Sequence, residues 1–422
     1  MAELVSTAEA SERVLVIAVR RAEQDGTEES LRELGELLHT AGAECVGTMI
    51  QNRDRADNAG YFGKGKTEEL KQLIWETEAT GVAADDELSP AQMKNLKDAL
   101  GVKVMDRTMI ILDIFAKHAV TAEGKIQVEL AQLKYTAAHL EGLRSSLSRL
   151  GGGIGTRGPG EQKLELDRRV IHERITLLKE RLREIEGHRN VTRKARERAG
   201  SFVAAIVGYT NAGKSTLLNK LTDAGILAED QLFATLDPTT RKLKLDGGEE
   251  ILLTDTVGFI RKLPHHLVEA FRSTLEEAKY ADIILHVVDA SNPEADTQMA
   301  VVYETLKSLD AMENREIITI FNKMDLVGES VILRDFHAEA TVRVSAGTGE
   351  GLQELKQLLR ESLKRRRRYL ERLFSYADAG LIQQIRQRGE LVSEEYTEDG
   401  ILVKAYVPAE LFGRFAEKQA EE

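Results

Sequence analysis

The sequence predicts an α/β protein: a doubly wound parallel-sheet P-loop domain, preceded by a small parallel α/β domain and an antiparallel helical hairpin, and followed by a small α+β C-terminal unit. Three observations predict it. Gly208-Tyr209-Thr210-Asn211-Ala212-Gly213-Lys214-Ser215 reads G-x-x-x-x-G-K-[ST], with a strand-length apolar run at 202–207 before it and a helical start at 216–221 after it. Strand and helix signals alternate over 13–120 and again over 201–362, which implies parallel sheets. Two heptad seams, within 123–147 and 164–185, flank a stretch in which six of ten residues are glycine.

A chain of 422 residues exceeds a single core, so several domains are expected, bounded at 1–120, 121–200, 201–364 and 365–422. Hydrophobic residues make up 42% and charged residues 30%, a balance that excludes a disordered chain. Residues 1–13 are polar, unlike a secretory signal, and no apolar run approaches the ~20 residues that span a bilayer. Cys45 is the one cysteine, so no intrachain disulfide can form and a cytoplasmic location is expected. The net charge of −12 argues against general adhesion to nucleic acid, while a local basic region could still bind RNA.

In the first domain, strands are expected at 14–19 and 45–50, with shorter ones near 82–84 and 102–105. Leu31, Leu34, Leu37 and Leu38 line one helix face, and further helices are expected near 67–79 and 89–100, the last with Ser89 as N-cap and Pro90 as first helical residue. Tyr61-Phe62-Gly63-Lys64-Gly65-Lys66-Thr67 precedes a helix. It reads either as a phosphate or RNA-backbone site at a helix N-terminus or as a glycine turn with solvated lysines; an exposed Tyr-Phe pair between basic residues keeps the RNA reading open.

The seams hold Ile126, Leu130, Leu133, Ala137, Leu140 and Leu147 on one helix, and Leu164, Ile171, Ile175, Leu178, Leu182 and Ile185 on the other. The glycine-rich residues 151–160 between them stop either helix, so an antiparallel hairpin with this tip is expected rather than an intermolecular coiled coil, and the chain is read as a monomer. Residues 141–200 carry 15 Lys/Arg against 9 Asp/Glu, and Arg193, Lys194, Arg196 and Arg198 face only Glu197 in sequence, which reads as RNA contact or as a solvated helix face. The run Arg365-Arg366-Arg367-Arg368 reads as RNA contact or as the solvated last turn of a helix. Beyond it a helix at 381–385 and a hairpin of 391–396 with 401–407 make a unit too short for an independent core.

The chemistry lies in 201–364. Backbone N–H groups of Gly208 to Ser215, with Thr216 at the helix start, can wrap a phosphate chain; Lys214 can reach the β/γ-phosphates and the Ser215 hydroxyl can ligate Mg²⁺. Asp255-Thr256-Val257-Gly258 ends a strand, so Asp255 can hold Mg²⁺ through water and the Gly258 N–H can meet a γ-phosphate. Asn322-Lys323-Met324-Asp325 ends another. The Asp325 carboxylate can accept from guanine N1–H and its exocyclic amine, a donor pair adenine lacks. Lys323 can lie on the base, Asn322 can tie the segment to the phosphate loop, and Ser345-Ala346 offers a backbone N–H to guanine O6. The order of these elements predicts a GTPase using GTP/GDP and Mg²⁺, with Lys214, Gly258 and a switch threonine in the catalytic group. In Phe233-Ala234-Thr235-Leu236-Asp237-Pro238-Thr239-Thr240, Thr235, Thr239 and Thr240 are rivals for that role. Phe259 follows Gly258, where Ras-like proteins carry the water-orienting glutamine. Slow intrinsic hydrolysis awaiting a partner is one reading; packing by Phe259, with water positioned by another residue, is the other.

These motifs together resemble the HflX family of ribosome-associated GTPases, in the translation-factor-related class. The likeness covers nearly the whole chain and rests on residues 60–66, 151–161, 208–215, 233–241, 255–259 and 322–325. The resemblance implies binding to the 50S subunit through 23S rRNA, dissociation of stalled or idle 70S ribosomes under stress, an N-terminal domain built for RNA, and ATP binding there. It also selects Thr235 as the Mg²⁺-sensing threonine, with Phe233 beside it in the nucleotide segment. Ser345-Ala346-Gly347 departs from the family's Ser-Ala-Lys and leaves the base contact to backbone. The alternative is an RNA-binding protein with ATP-dependent remodelling in the N-terminal domain and GTP as regulator.

Overall fold

The computed structural model describes residues 11–22, 25–150, 159–198, 201–222, 232–233, 237–246, 249–264, 267, 272–312, 315–328, 333–408 and 411–412. The first sheet is parallel, in the order β2-β1-β3-β4, from β1 (Arg13–Arg20), β2 (Glu44–Asn52), β3 (Gly81–Ala84) and β4 (Lys103–Asp106). β1 is buried on both faces, which explains its unbroken apolar run. Val14, Val16 and Ala18 face α1 (Thr27–Ala41) and α4 (Arg107–His118); Leu15, Ile17 and Val19 face α2 (Lys64–Thr77) and α3 (Pro90–Leu100). α1 buries Leu31, Leu34, Leu37 and Leu38 and ends at Gly42, whose φ of 89° suits glycine. α3 starts on the expected Ser89 cap, with Gln92 closing a reciprocal capping box.

Two expectations here need correction. Tyr61 and Phe62 are buried, not exposed. Paired backbone hydrogen bonds between Asp57 and Tyr61 fold the segment into a tight bridge; the two rings stack 5.4 Å apart, and the Tyr61 hydroxyl donates to Asp86 at 2.8 Å. Lys64 is left in solvent and Lys66 pairs with Glu69, so the glycine-turn reading holds. α4 was unforeseen: Asp106, the last residue of β4, caps it by accepting from the Met109 N–H.

α5 (Ala122–Leu150) and α6 (Pro159–Arg198) form the antiparallel hairpin: Glu129 pairs with Arg174 and Glu123 with Arg189, so positions run in opposite directions. Leu130, Ala137, Ile175 and Leu178 fill its seam, flanked by Ile126, Leu133, Ile171 and Leu182. The tip residues 151–158 lie outside the described residues, as do the side chains of Arg196 and Arg198. Arg193 does not face solvent. Its guanidinium lies 3.4 Å from the Tyr280 ring centroid and 3.8 Å from Glu277, docking the hairpin base on the next domain.

The second sheet has the order β10-β9-β8-β5-β7-β6: β5 (Phe202–Gly208), β7 (Glu250–Asp255), β8 (Ile283–Asp289), β9 (Glu316–Asn322) and β10 (Ala340–Arg343) are parallel, and β6 (Thr239–Lys244) pairs antiparallel with β7. α7 (Lys214–Thr222), α8 (Arg272–Tyr280), α9 (Ala295–Ser308) and α10 (Leu352–Arg365) cover it. One apolar cluster runs from α1, α4 and α5 into this domain through Val207, Tyr209, Phe233, Phe259 and Ile260, so the core is continuous between the two sheets.

The C-terminal unit is a three-stranded antiparallel sheet, β11 (Arg367–Phe374), β13 (Gly400–Pro408) and β12 (Glu390–Thr397), backed by α11 (Ala379–Arg388). Contrary to expectation it has its own core, with Leu370, Phe374, Ile382, Ile385, Val403 and Val407 buried together. β11 was unforeseen, and the basic run spans the end of α10 and the start of β11, with Arg365 and Arg368 exposed and three of its arginines held in ion pairs. Arg365 pairs with Glu316 at 2.6 Å, Arg366 with Asp282 at 2.9 Å and Arg367 with Glu390 at 3.3 Å.

Candidate nucleotide site

β5 delivers the phosphate loop at the carboxyl edge of the second sheet, where doubly wound folds take ligands. Space and torsion dictate its glycines. A Cβ on Gly208 would overlap the Val287 carbonyl, and one on Gly213, at φ 90°, would overlap Asn322 Nδ2. Asn211 also takes a positive φ, 60°. Ala212 is packed under the loop, and Ser215 and Thr216 follow Lys214 in the first turn of α7. Lys214 Nζ donates to the Tyr209 carbonyl at 2.7 Å. Burial lowers its pKa to about 8, against the opposing pull of Asp255. Thr210 Oγ1 is buried with no hydrogen-bond partner among the described residues.

β7 runs beside β5 with Asp255 opposite Ile206, which brings the carboxylate to the loop. Ser215 Oγ donates to Asp255 Oδ2 at 2.8 Å. Hydroxyl and carboxylate oxygen together are the hard donors Mg²⁺ selects, so the residues fit that ion. A Cβ on Gly258 would lie 2.9 Å from Lys214 Nζ and 2.7 Å from Thr210 Cγ2, so a side chain there would crowd the lysine and the loop. The next residue is locked to the loop: Phe259 N–H donates to the Gly208 carbonyl at 3.1 Å and Thr210 N–H to the Phe259 carbonyl at 2.8 Å. The Phe259 ring is 1% exposed, inside the core.

The base-reading segment is tied to the same loop. Asn322, the last residue of β9, donates from Nδ2 to the Ala212 carbonyl at 2.8 Å and accepts the Ala346 N–H on Oδ1 at 2.9 Å. Lys323 turns at φ 61° with its ammonium 2.7 Å from Asp289. The Asp325 carboxylate accepts from the Ser345 hydroxyl at 2.6 Å, while Ser345 Oγ also accepts the Thr348 N–H at 3.2 Å. Five sequence-predicted positions, Asn322, Lys323, Asp325, Ser345 and Ala346, therefore stand together.

Thr235 lies outside the described residues. Phe233 is not brought to the nucleotide: its ring packs edge-on against Phe115 of α4 at 4.7 Å. Tyr209 serves the loop through its backbone. Its side chain turns away, the hydroxyl donating to Glu33 of α1 and accepting the Arg261 N–H at 2.7 Å. This opens a buried network that sequence reading missed. Arg107 pairs with Asp85 at 2.9 Å and with Glu33, and Lys262 reaches Asp85 at 2.5 Å and Asp86 at 3.1 Å. Burial pushes the Glu33 carboxyl up, with Arg107 and the Tyr209 hydroxyl pulling it back. Its bonded partners are up to 177 residues apart, so no local signal could have found them.

A phosphate loop tied by an asparagine to a carboxylate-bearing base reader, on a doubly wound sheet, defines a guanine-specific P-loop GTPase. Comparison with known proteins narrows the class. Residues 28–116 match the family described as GTP-binding GTPase N-terminal, 118–196 the GTP-binding GTPase middle region, and 203–323 the 50S ribosome-binding GTPase family. The chain is 63% identical to the GTPase HflX of Lacrimispora saccharolytica over 99% of this chain and 98% of that one. It is 50% identical to the GTPase HflX of Caldanaerobacter subterraneus over 95% and 92%, and 44% identical to that of Escherichia coli over 81% and 80%. The chain belongs to the HflX GTPase family, and it hydrolyses GTP to GDP and phosphate.

Proposed function

We propose that this GTPase acts on ribosomes: it binds the 50S subunit, splits stalled or idle 70S particles under stress, and hydrolyses GTP when the ribosome stimulates it. The observation that carries the reading is Phe259. In the position where a side chain would orient the attacking water, the chain has a phenyl ring sealed in the core and backbone-bonded to the phosphate loop. A chain that cannot aim the water there hydrolyses slowly until a partner completes the site. The family description of residues 203–323 supplies the partner class.

In this reading, Lys214 holds the β/γ-phosphates and the Gly258 N–H meets the γ-phosphate. Ser215 and Thr235 would hold Mg²⁺, with Asp255 acting through a water, and the ion would supply charge neutralisation at the transferred phosphate. Asp325 reads the base, Lys323 covers it, and the Ala346 N–H faces its carbonyl. The protein acts as a monomer in the cytoplasm. Among the described residues no helix is long and apolar enough to cross a membrane.

ATP has no place in the proposal. The first sheet reverses its strand order between β1 and β3, the crevice where such a sheet takes a ligand. That edge carries Asp85 and Asp86, and the cations beside them, Arg107 and Lys262, are already paired with carboxylates. An anionic triphosphate does not fit there, which weakens the alternative of ATP-driven RNA remodelling. The deciding experiment is single-turnover GTP hydrolysis with and without 50S subunits, alongside cosedimentation with a non-hydrolysable analogue. Large stimulation and analogue-dependent cosedimentation are expected; equal rates would overturn the reading.

A further inference from the structure

The phosphate loop and the segment after β7 are tied together through backbone. Tyr209 and Phe259 form an isolated parallel bridge. Phe259 N–H donates to the Gly208 carbonyl, and Thr210 N–H donates to the Phe259 carbonyl. The first two side chains of the loop then part. Tyr209 sends its hydroxyl to Glu33 and Arg261. Thr210 lies against Gly258: a Cβ built on that glycine would be 2.7 Å from Thr210 Cγ2, and 2.9 Å from both Thr210 Cα and Lys214 Nζ. Thr210 is 6% exposed, and its hydroxyl meets no donor or acceptor among the described residues. Buried hydroxyls are nearly always bonded, because an unpaired one has given up water for nothing. Valine would fill the same space without that cost, so the hydroxyl serves something other than the fold.

We propose, on the reading that Lys214 and the Gly258 N–H meet the γ-phosphate, that Thr210 is a catalytic residue: its hydroxyl donates to an oxygen of that phosphate as GTP is hydrolysed. Thr210 and the Lys214 ammonium crowd one point beside Gly258, so a group held by lysine and glycine lies within reach of the threonine. The Thr210 N–H is already spent on the Phe259 carbonyl, which leaves the hydroxyl as the donor this residue can offer. GDP has no γ-phosphate, so the contact belongs to the triphosphate and to its transition state alone. Charge there is spread over the three equatorial oxygens of the transferred group, and a preset donor in a dry site stabilises it without reorganisation. Phe259, with its ring in the core, offers no side-chain donor to that phosphate.

The test uses two variants of the full chain. Three quantities are read: single-turnover hydrolysis by the free protein, affinities for GDP and for a non-hydrolysable GTP analogue, and the thermal transition. Thr210→Val keeps the shape of the side chain and removes the hydroxyl. Hydrolysis is expected to fall about tenfold to a hundredfold, the scale of one lost hydrogen bond to a charged group. Affinity for the analogue should fall about threefold to tenfold, while GDP affinity stays within about twofold. The thermal transition should hold or rise, since no bond within the protein is lost. Thr210→Ser keeps the hydroxyl and should hydrolyse GTP within about threefold of the wild type. Wild-type hydrolysis in Thr210→Val, equal losses of GDP and analogue affinity, a lowered thermal transition in that variant, or a loss in Thr210→Ser as large as in Thr210→Val would overturn the proposal. Wild-type analogue affinity in Lys214→Met would instead remove the reading on which it rests.

Discussion

Lys214 sets how nucleotide binding responds to pH. Its folded pKa, about 8, lies below the model-peptide value because burial penalises the charge. From about pH 8 up to the unfolded value the unfolded chain binds more protons, so stability rises with pH across that window, and at neutral pH the buried charge is a cost. Phosphate oxygens restore the charge, so binding must take up a proton above pH 8. GTP affinity is expected to fall by up to about tenfold per pH unit there. Calorimetry at about pH 8.5 in two buffers of different ionisation enthalpy should report proton uptake, lost in Lys214→Met; no uptake in the wild type would contradict the assignment. At the other end of the site, Asp325→Asn turns a two-oxygen acceptor into an amide that can donate. GTP affinity should drop about a hundredfold, the scale of a lost charged hydrogen-bond pair, and xanthosine nucleotides should bind instead. Competition binding decides it, and undiminished GTP affinity would remove Asp325 from the base site.

Elements explain what could and could not be read in advance. β1, β5, β8 and β9 are legible because parallel strands buried on both faces are unbroken apolar runs. α4 was not, because its exposed stripe is short: Asp113, Ala116 and Lys117 face solvent, while Ile110, Ile111, Leu112, Ile114 and Phe115 are buried and make a nearly unbroken apolar run. β11 hid for the opposite reason. Leu370 and Phe374 face the core while Tyr369 and Leu373 lie half open on the other face, so alternation is lost, and the preceding arginines imitate a helix end. The loops that bind GTP were legible because phosphate and guanine chemistry restrict residue types over a few adjacent positions. The Glu33, Asp85, Arg107 and Lys262 network was not, since its spacing in the chain carries no pattern. Its energetics are nevertheless predictable. Arg107 is 1% exposed and faces two carboxylates, one fully buried. Arg107→Leu leaves both with one cation fewer, and a loss of about 3–5 kcal/mol is expected. Hydrogen exchange of β1 and β3 amides should read it as faster opening; unchanged protection would mean that Lys262 alone neutralises the pair.

At the scale of the molecule, the hairpin is a stalk rooted in both neighbours: the Tyr135 hydroxyl of α5 donates to Asp106 of the first domain, while Asp237 at the start of α5 and Tyr280 under Arg193 of α6 tie it to the nucleotide domain. Its first helix has 29 residues and, at about 1.5 Å per residue, is about 40 Å long. A stalk needs a reason to be long. Its seam buries few residues, Leu130, Ala137, Ile175 and Leu178, so it contributes little core for its length. What it delivers is 151–160, a glycine-rich stretch with Arg157 inside it and Arg149 just before. Glycine backbone can pass where side chains would clash, and arginines can meet phosphates or stack on bases, a composition suited to a narrow RNA cavity. Replacing 151–160 with a short Gly-Ser turn leaves every hydrogen bond of the nucleotide site untouched. GTP affinity and the thermal transition should therefore stay at wild-type values, while 70S splitting followed by light scattering should be abolished and 50S binding should weaken, the more so as salt rises. If the shortened protein splits 70S particles at the wild-type rate, the tip plays no part, and the ribosome contact must be sought on the domains at the root.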